Sequence, residues 1–159
     1  PQWIRQTPSA INLSGPMGSY RTVAAADGVE RWVGAVPEAF RDAAVPQAWR
    51  EAWVQANFAP DAAGKQTLRA PNGVLKDNSE TWASGKPLYD PSTIEAPTLL
   101  ILGEWDRDTP PYMANAVFAE LKKAREKRLV LLGGGTHMLM LERPRQRLFD
   151  ETRLFLAQD

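Results

Sequence analysis

Apolar positions along this chain follow two different rhythms. In the last third they come in unbroken runs, TLLIL at 98–102 and LVLL at 129–132, closed by Gly103 and by Gly133, Gly134 and Gly135. Short apolar runs bounded by turn residues read as buried strands. Between them, 112–127 carries Met113, Val117 and Leu121 at a spacing of four, with Phe118 beside them. That spacing marks one face of a helix. Strand, helix and strand together predict a parallel pair whose carboxyl ends share one edge of a sheet. A closing amphipathic helix is expected over 145–157, with Leu148, Phe149, Thr152, Phe155 and Leu156 inward and arginines outward.

Earlier in the chain the rhythm is helical. Val29, Trp32, Val33, Val36 and Phe40 fall on one face, Pro46 breaks the pattern, and Trp49, Ala52, Trp53 and Ala56 resume it. Two short helices are predicted over 27–58. The stretch 61–92 is polar and interrupted by Gly64, Pro71, Gly73, Gly85, Pro87 and Pro91, so it reads as connection with one helix over 63–70. Residues 1–19 are rich in Pro, Gly and Ser and read as loop with at most a helical turn. There is no internal repeat and no low-complexity tract.

Composition narrows the function more than the fold. The 159 residues suit one ordinary domain, and Lys plus Arg (19) balance Asp plus Glu (19). No net charge draws the chain to nucleic acid or to an anionic membrane surface, and neither partner is expected. Cysteine is absent and there is a single histidine, which argues against disulfides, thiolate sites and zinc; no cofactor or metal is expected. No apolar run approaches the length needed to span a bilayer. The opening residues PQWIRQTPS read as the middle of a longer sequence, so the lack of a leader is uninformative. The compartment stays open, with a cytoplasmic one favoured.

The chemistry gathers at the two strand ends. His137 stands just beyond the second run, and Asp106 and Asp108 stand beyond the first. Ligands in open parallel sheets bind outside the carboxyl ends of the strands. A histidine titrating at about 6.5 can take and return protons at neutral pH, and a buried carboxylate fixes its tautomer. A lone loop histidine is more often bonded to a carbonyl, but the paired acid and histidine loops favour the catalytic reading. Asp108, just before Thr109 and Pro110, is expected to cap the next helix, which leaves Asp106 as the acid. Glu142 is expected to receive amides at the start of the last helix. Gly133 to Gly135 lack the lysine and the immediate helix of a phosphate cradle.

These residues resemble the last third of an α/β-hydrolase of the esterase and lipase superfamily. A strand ending in G-x-x-D-x-x-x-P fits Gly103, Asp106 and Pro110, and H-x-x-x-x-E-x-P fits His137, Glu142 and Pro144. Where that family commonly has glycine before the histidine, this chain has Thr136. The resemblance implies an α/β fold, the C-terminal part of a hydrolase parallel sheet with a helical cap segment. It divides the chain into a loop leading from the core (1–26), a cap and connection (27–92) and a core portion (93–159). It also implies that His137 is the general base, that Asp106 orients it, and that Glu142 and Pro144 open the closing helix. Trp32, Trp49 and Trp53 in the cap, with Trp105 and Met138, become candidates to line a substrate pocket.

The nucleophile turn G-x-S-x-G does not occur in the chain, and Ser14 and Ser19 read as turn residues. The expectation is therefore an acid and a base whose nucleophile and oxyanion-hole amides come from the N-terminal hydrolase half, on a separate or missing segment. The implied activity is a serine hydrolase acting through an acyl-enzyme on a small hydrophobic ester or related acyl substrate. Other chemistries of the same fold remain open: C–C hydrolase, epoxide hydrolase, haloalkane dehalogenase and haloperoxidase. From a different class, a non-catalytic binding module on a hydrolase scaffold also remains, with the tryptophan-rich face as its partner surface.

Overall fold

A computed structural model describes residues 18–82 and 88–157. Residues 1–17 of the loop expected over 1–19, with Ser14 among them, lie outside the described residues. In chain order the elements are β1 (Tyr20–Ala24), α1 (Ala25–Val33), α2 (Arg41–Ala44), α3 (Gln47–Asn57), β2 (Ala59–Pro60), β3 (Gln66–Pro71) and α4 (Gly73–Asp77). Then come β4 (Thr98–Gly103), α5 (Pro111–Glu120), β5 (Lys127–Leu132) and α6 (Arg145–Leu156).

The strand, helix and strand of the C-terminal part are present as the apolar runs predict. β4 and β5 pair in parallel from Thr98 opposite Lys127 to Gly103 opposite Leu132, and α5 packs on both strands. The class is α/β. α5 ends at Glu120, short of the expected 127, because Leu121 leaves the helical region (φ −68, ψ 64). Leu121 is almost fully buried, and the next residues, KKARE, supply no large apolar side chain to extend the buried face.

The first half corrects the reading at two places. β1 occupies part of the stretch expected to be loop, and β3 stands where a helix over 63–70 was expected. They form an antiparallel sheet in the order β1, β3, β2, with Tyr20 opposite Pro71 through Ala24 opposite Thr67. Asp61 closes the β2–β3 hairpin, its Oδ1 accepting the amides of Ala63 and Lys65, both at 2.9 Å. Backbone pairing holds this sheet, so it needs no apolar run to announce it.

Trp32, Val33, Val36, Ala44 and Val45 form a buried cluster from α1, α2 and the turns beside them. Val29, Trp53, Trp105 and Met138 pack against it, so the cluster reaches the loops after both β4 and β5. Val36 and Val45 are 1% and 0% exposed, and burying each such side chain stabilises by about 1.5–3 kcal/mol. An exposed ion pair such as Arg31 with Asp108 contributes about 0–1 kcal/mol. Apolar packing therefore dominates the join between the first half and the site loops.

On α6 the expected inward face is only partly covered. Phe155 is buried, whereas Phe149 is 48% and Leu156 73% exposed. The apolar stripe on this helix is wider than the surface the described residues offer it. Among the described residues no helix is long and apolar enough to cross a membrane.

Candidate active site

Beyond the last strand pair, the two loops remain stitched by backbone. The Glu104 amide donates to the Leu132 carbonyl at 2.9 Å and the Trp105 amide to the Gly135 carbonyl at 2.8 Å. A Cβ on Gly103 would stand 2.2 Å from the Gly135 oxygen, so only glycine permits this crossing. Gly134 turns the second loop with φ +82, a region most residues avoid. Gly103 and Gly134 thus let the histidine loop fold back against the acid loop.

That close approach brings Asp106 and His137 together. His137 Nδ1 lies 3.0 Å from Asp106 Oδ2. The same oxygen accepts the Thr109 hydroxyl at 2.8 Å, while Oδ1 accepts the amides of Asp108 at 2.9 Å and Thr109 at 2.8 Å. Every other contact of the carboxylate is a donor, so the proton of this bond belongs on Nδ1. Nε2, at the other edge of the ring, is then the nitrogen able to accept a proton. The Asp106 side chain is 5% exposed and that of His137 49%. One partner is fixed and the other faces outward.

The charges of the pair support each other. Burial, the largest single influence on Asp106, raises its pKa; the bonds from His137 and Thr109 more than offset it and leave the carboxyl below its ordinary value. For His137 the bond to Asp106 is the largest influence and raises the pKa, partial burial lowers it, and the charges of Asp106 and Asp108 add to the rise while Arg31 opposes it. The net result is a histidine held above its ordinary value.

Two neighbouring expectations are corrected. Asp108 does not cap α5, whose cap position is Pro110 with no side-chain bond. Pro111 at the first helical position removes one orphan amide of the first turn, and Asp108 instead meets Arg31 of α1 at 2.7 Å. Glu142 likewise takes no amide of α6, which begins after Pro144 without a side-chain cap. It is 0% exposed and accepts the Trp32 indole N–H at 2.8 Å, the Thr136 amide at 2.7 Å and the Thr136 hydroxyl. Trp32, a pocket candidate, is 3% exposed in the core cluster with its N–H on Glu142.

The other pocket candidates occupy mixed surroundings. Trp53 packs edge-on to Trp32 at 5.4 Å and to Phe58 at 5.2 Å. Trp49 lies beneath the guanidinium of Arg145 at 4.3 Å, with that of Arg143 at 6.0 Å. Trp105 and Met138, which flank Asp106 and His137 in sequence, are partly buried against the core cluster, and Phe40 stacks on Trp105 at 5.9 Å. A groove lined by Phe149, Thr152, Arg153, Leu156 and Ala157 of the closing segment contains none of the candidates.

Sequence reasoning missed Thr109 and Thr136. Thr109 was legible in principle, since an aspartate followed three residues later by threonine often closes a side-chain turn on its own backbone. Thr136 carried no such local signal; its partner is Glu142, across a 3₁₀ turn at Leu139–Leu141. Among the described residues no group of three or more histidine, aspartate or glutamate side chains converges as a metal site requires.

Comparison with known proteins adds one finding. A family model described as the Alpha/beta hydrolase family matches residues 5–151. No curated protein and no solved structure matched.

Proposed function

Since this chain belongs to the Alpha/beta hydrolase family, which supports a hydrolase-type function, we propose that it supplies the general base and orienting acid of a serine hydrolase acting on small hydrophobic esters. The observation that carries this reading is the 3.0 Å bond between Asp106 and Nδ1 of a half-exposed His137, at the carboxyl end of two parallel strands. As a serine hydroxyl attacks the ester carbonyl, Nε2 takes its proton and Asp106 stabilises the imidazolium that forms. The imidazolium then protonates the leaving alcohol as the tetrahedral intermediate collapses to an acyl-enzyme. Water, deprotonated by the same nitrogen, releases the acid.

In this reading the serine and the oxyanion donors belong to a hydrolase segment not contained in these 159 residues, because no G-x-S-x-G occurs among them. Residues 27–92 act as cap and connection, and 93–159 as core. Two features support a missing companion: β4 and β5 form a sheet of only two strands among the described residues, and Leu131 on β5 is 52% exposed. Parallel sheets are normally covered on both faces.

The test is reconstitution. The chain alone is expected to hydrolyse p-nitrophenyl esters no faster than background, and activity sensitive to a serine-directed inhibitor is expected once the polypeptide bearing the serine turn is added. Ester hydrolysis by the chain alone, indifferent to that inhibitor and unchanged in His137→Ala, would overturn the reading.

A further inference from the structure

We propose that Glu142 and Trp32 are positioning residues for His137, forming a brace from α1 to the loop that carries the base. This rests on the function proposed above and extends it to side chains that touch neither substrate nor reacting atoms.

The His137 ring is half exposed and, among the described residues, is fixed only on the Nδ1 edge, by Asp106 at 3.0 Å with the Thr109 hydroxyl 3.4 Å away. The backbone that aims the ring must therefore be held from elsewhere. Thr136, directly before His137, gives both its amide and its hydroxyl to Glu142, and its hydroxyl oxygen accepts the amide of Met138, directly after His137, at 3.1 Å. Both neighbours of the base thus hang from one carboxylate. That carboxylate is in turn anchored by the indole N–H of Trp32 at 2.8 Å.

α1 reaches the companion loop as well. Arg31, the residue before Trp32, meets Asp108, two residues beyond Asp106. Farther along, the Arg143 amide donates to the Ala44 carbonyl at 3.1 Å, tying the segment beside Glu142 to the end of α2. With Trp105 and Met138 packed on the Trp32 cluster, the acid loop and the base loop are both seated on one set of helices.

The bonding at Glu142 explains why a carboxylate serves here. One oxygen accepts the Trp32 N–H and the Thr136 hydroxyl; the other accepts the Thr136 N–H. Indole and backbone N–H groups can only donate. Glutamine would set its own NH₂ against one of them in either orientation, whereas glutamate satisfies both.

The test reads His137 directly, since it is the single histidine among the 159 residues and its ring protons titrate without overlap. The charged groups acting on it are Asp106, Asp108 and Arg31. Trp32→Phe alters none of them and keeps a ring in the core, so any change it causes is geometric. The His137 midpoint is expected to fall toward the ordinary 6.5 in folded Trp32→Phe and Glu142→Gln chains, and to stay at the parent value in Thr136→Ser, which keeps both donors. In the reconstituted enzyme kcat is expected to fall by up to about a hundredfold with KM little changed.

If Glu142→Gln does not fold, Trp32→Phe decides. A parent-like titration in folded Trp32→Phe, or a shifted one in Thr136→Ser, overturns the brace. Asp106→Asn separates this failure from a failure of the functional reading. If it lowers the midpoint while Trp32→Phe does not, only the brace is wrong; if it leaves the midpoint unchanged, the acid-base pair itself is wrong.

Discussion

Asp106 and Glu142 are both buried acids with their oxygens filled by donors, yet they sit in opposite kinds of surroundings. Three of the four donors to Asp106 come from its own loop, and the fourth is a half-exposed imidazole. Glu142 is met by an indole, an amide and a hydroxyl, drawn from α1 and from the histidine loop. None of those three donors titrates in the ordinary range. The difference separates two jobs a buried carboxylate can do. One holds a titratable ring that reaches the outside; the other joins elements. Burial alone marks neither.

The largest expected effect concerns His137. In the reconstituted hydrolase His137→Ala should abolish ester turnover, and Asp106→Asn should lower kcat by roughly ten-thousand-fold by leaving the imidazole in the wrong tautomer. Steady-state kinetics on p-nitrophenyl esters check both. The contrast with Glu142 sharpens if stability moves the other way. Glu142→Gln should cost about 1–3 kcal/mol of folding free energy through its unmatched donors, read by urea unfolding. Asp106→Asn should cost clearly less, because the Thr109 hydroxyl and the imidazole can both turn round to accept. A larger stability loss at Asp106 than at Glu142 would break the comparison.

How far the sequence foretold this arrangement depends on what holds each part together. The parallel pair was legible because β4 and β5 are apolar runs, and Asp106 with His137 followed from their places after the two strands. The antiparallel sheet was not, because β3 has the half-exposed sequence QTLRAP and owes its form to pairing with a strand 40-odd residues away in the chain. The roles of Asp108 and Glu142 were misread for a related reason. Local helix-end rules assigned them caps, whereas long-range partners, Arg31 and Trp32, claimed them. Local rules reached Asp106 because most of its donors are sequence neighbours.

A smaller expected effect is in pH dependence. The raised pKa of His137 adds stability that is fully present below 6.5 and is lost as pH climbs through its value in the fold. The lowered pKa of Asp106 adds stability that is present above 3.8 and is lost as pH falls through its value in the fold. The pair therefore stabilises most between those two ordinary values, whereas the proposed catalysis needs the neutral imidazole. The acid limb of kcat/KM should lie above 6.5, and Asp106→Asn should remove the pair's part of the pH-dependent stability. Unfolding curves and rate profiles against pH check the two signs.

The smallest effect should come from the exposed pair. Arg31→Ala removes a contact whose arginine is 63% exposed, and should change stability by less than about 1 kcal/mol in urea unfolding. A larger loss would mean that α1 is held to the acid loop by charge more than by the Trp32 cluster.

The most direct test of the Asp106–His137 pair is the tautomer and titration of the single histidine, read by long-range proton–nitrogen correlation in the parent chain and in Asp106→Asn. The account predicts a midpoint above 6.5, and above that midpoint a neutral ring with its proton on Nδ1 and Nε2 bare. Asp106→Asn should lower the midpoint and shift the proton toward Nε2. A parent ring protonated on Nε2, with a midpoint indifferent to Asp106→Asn, would contradict it.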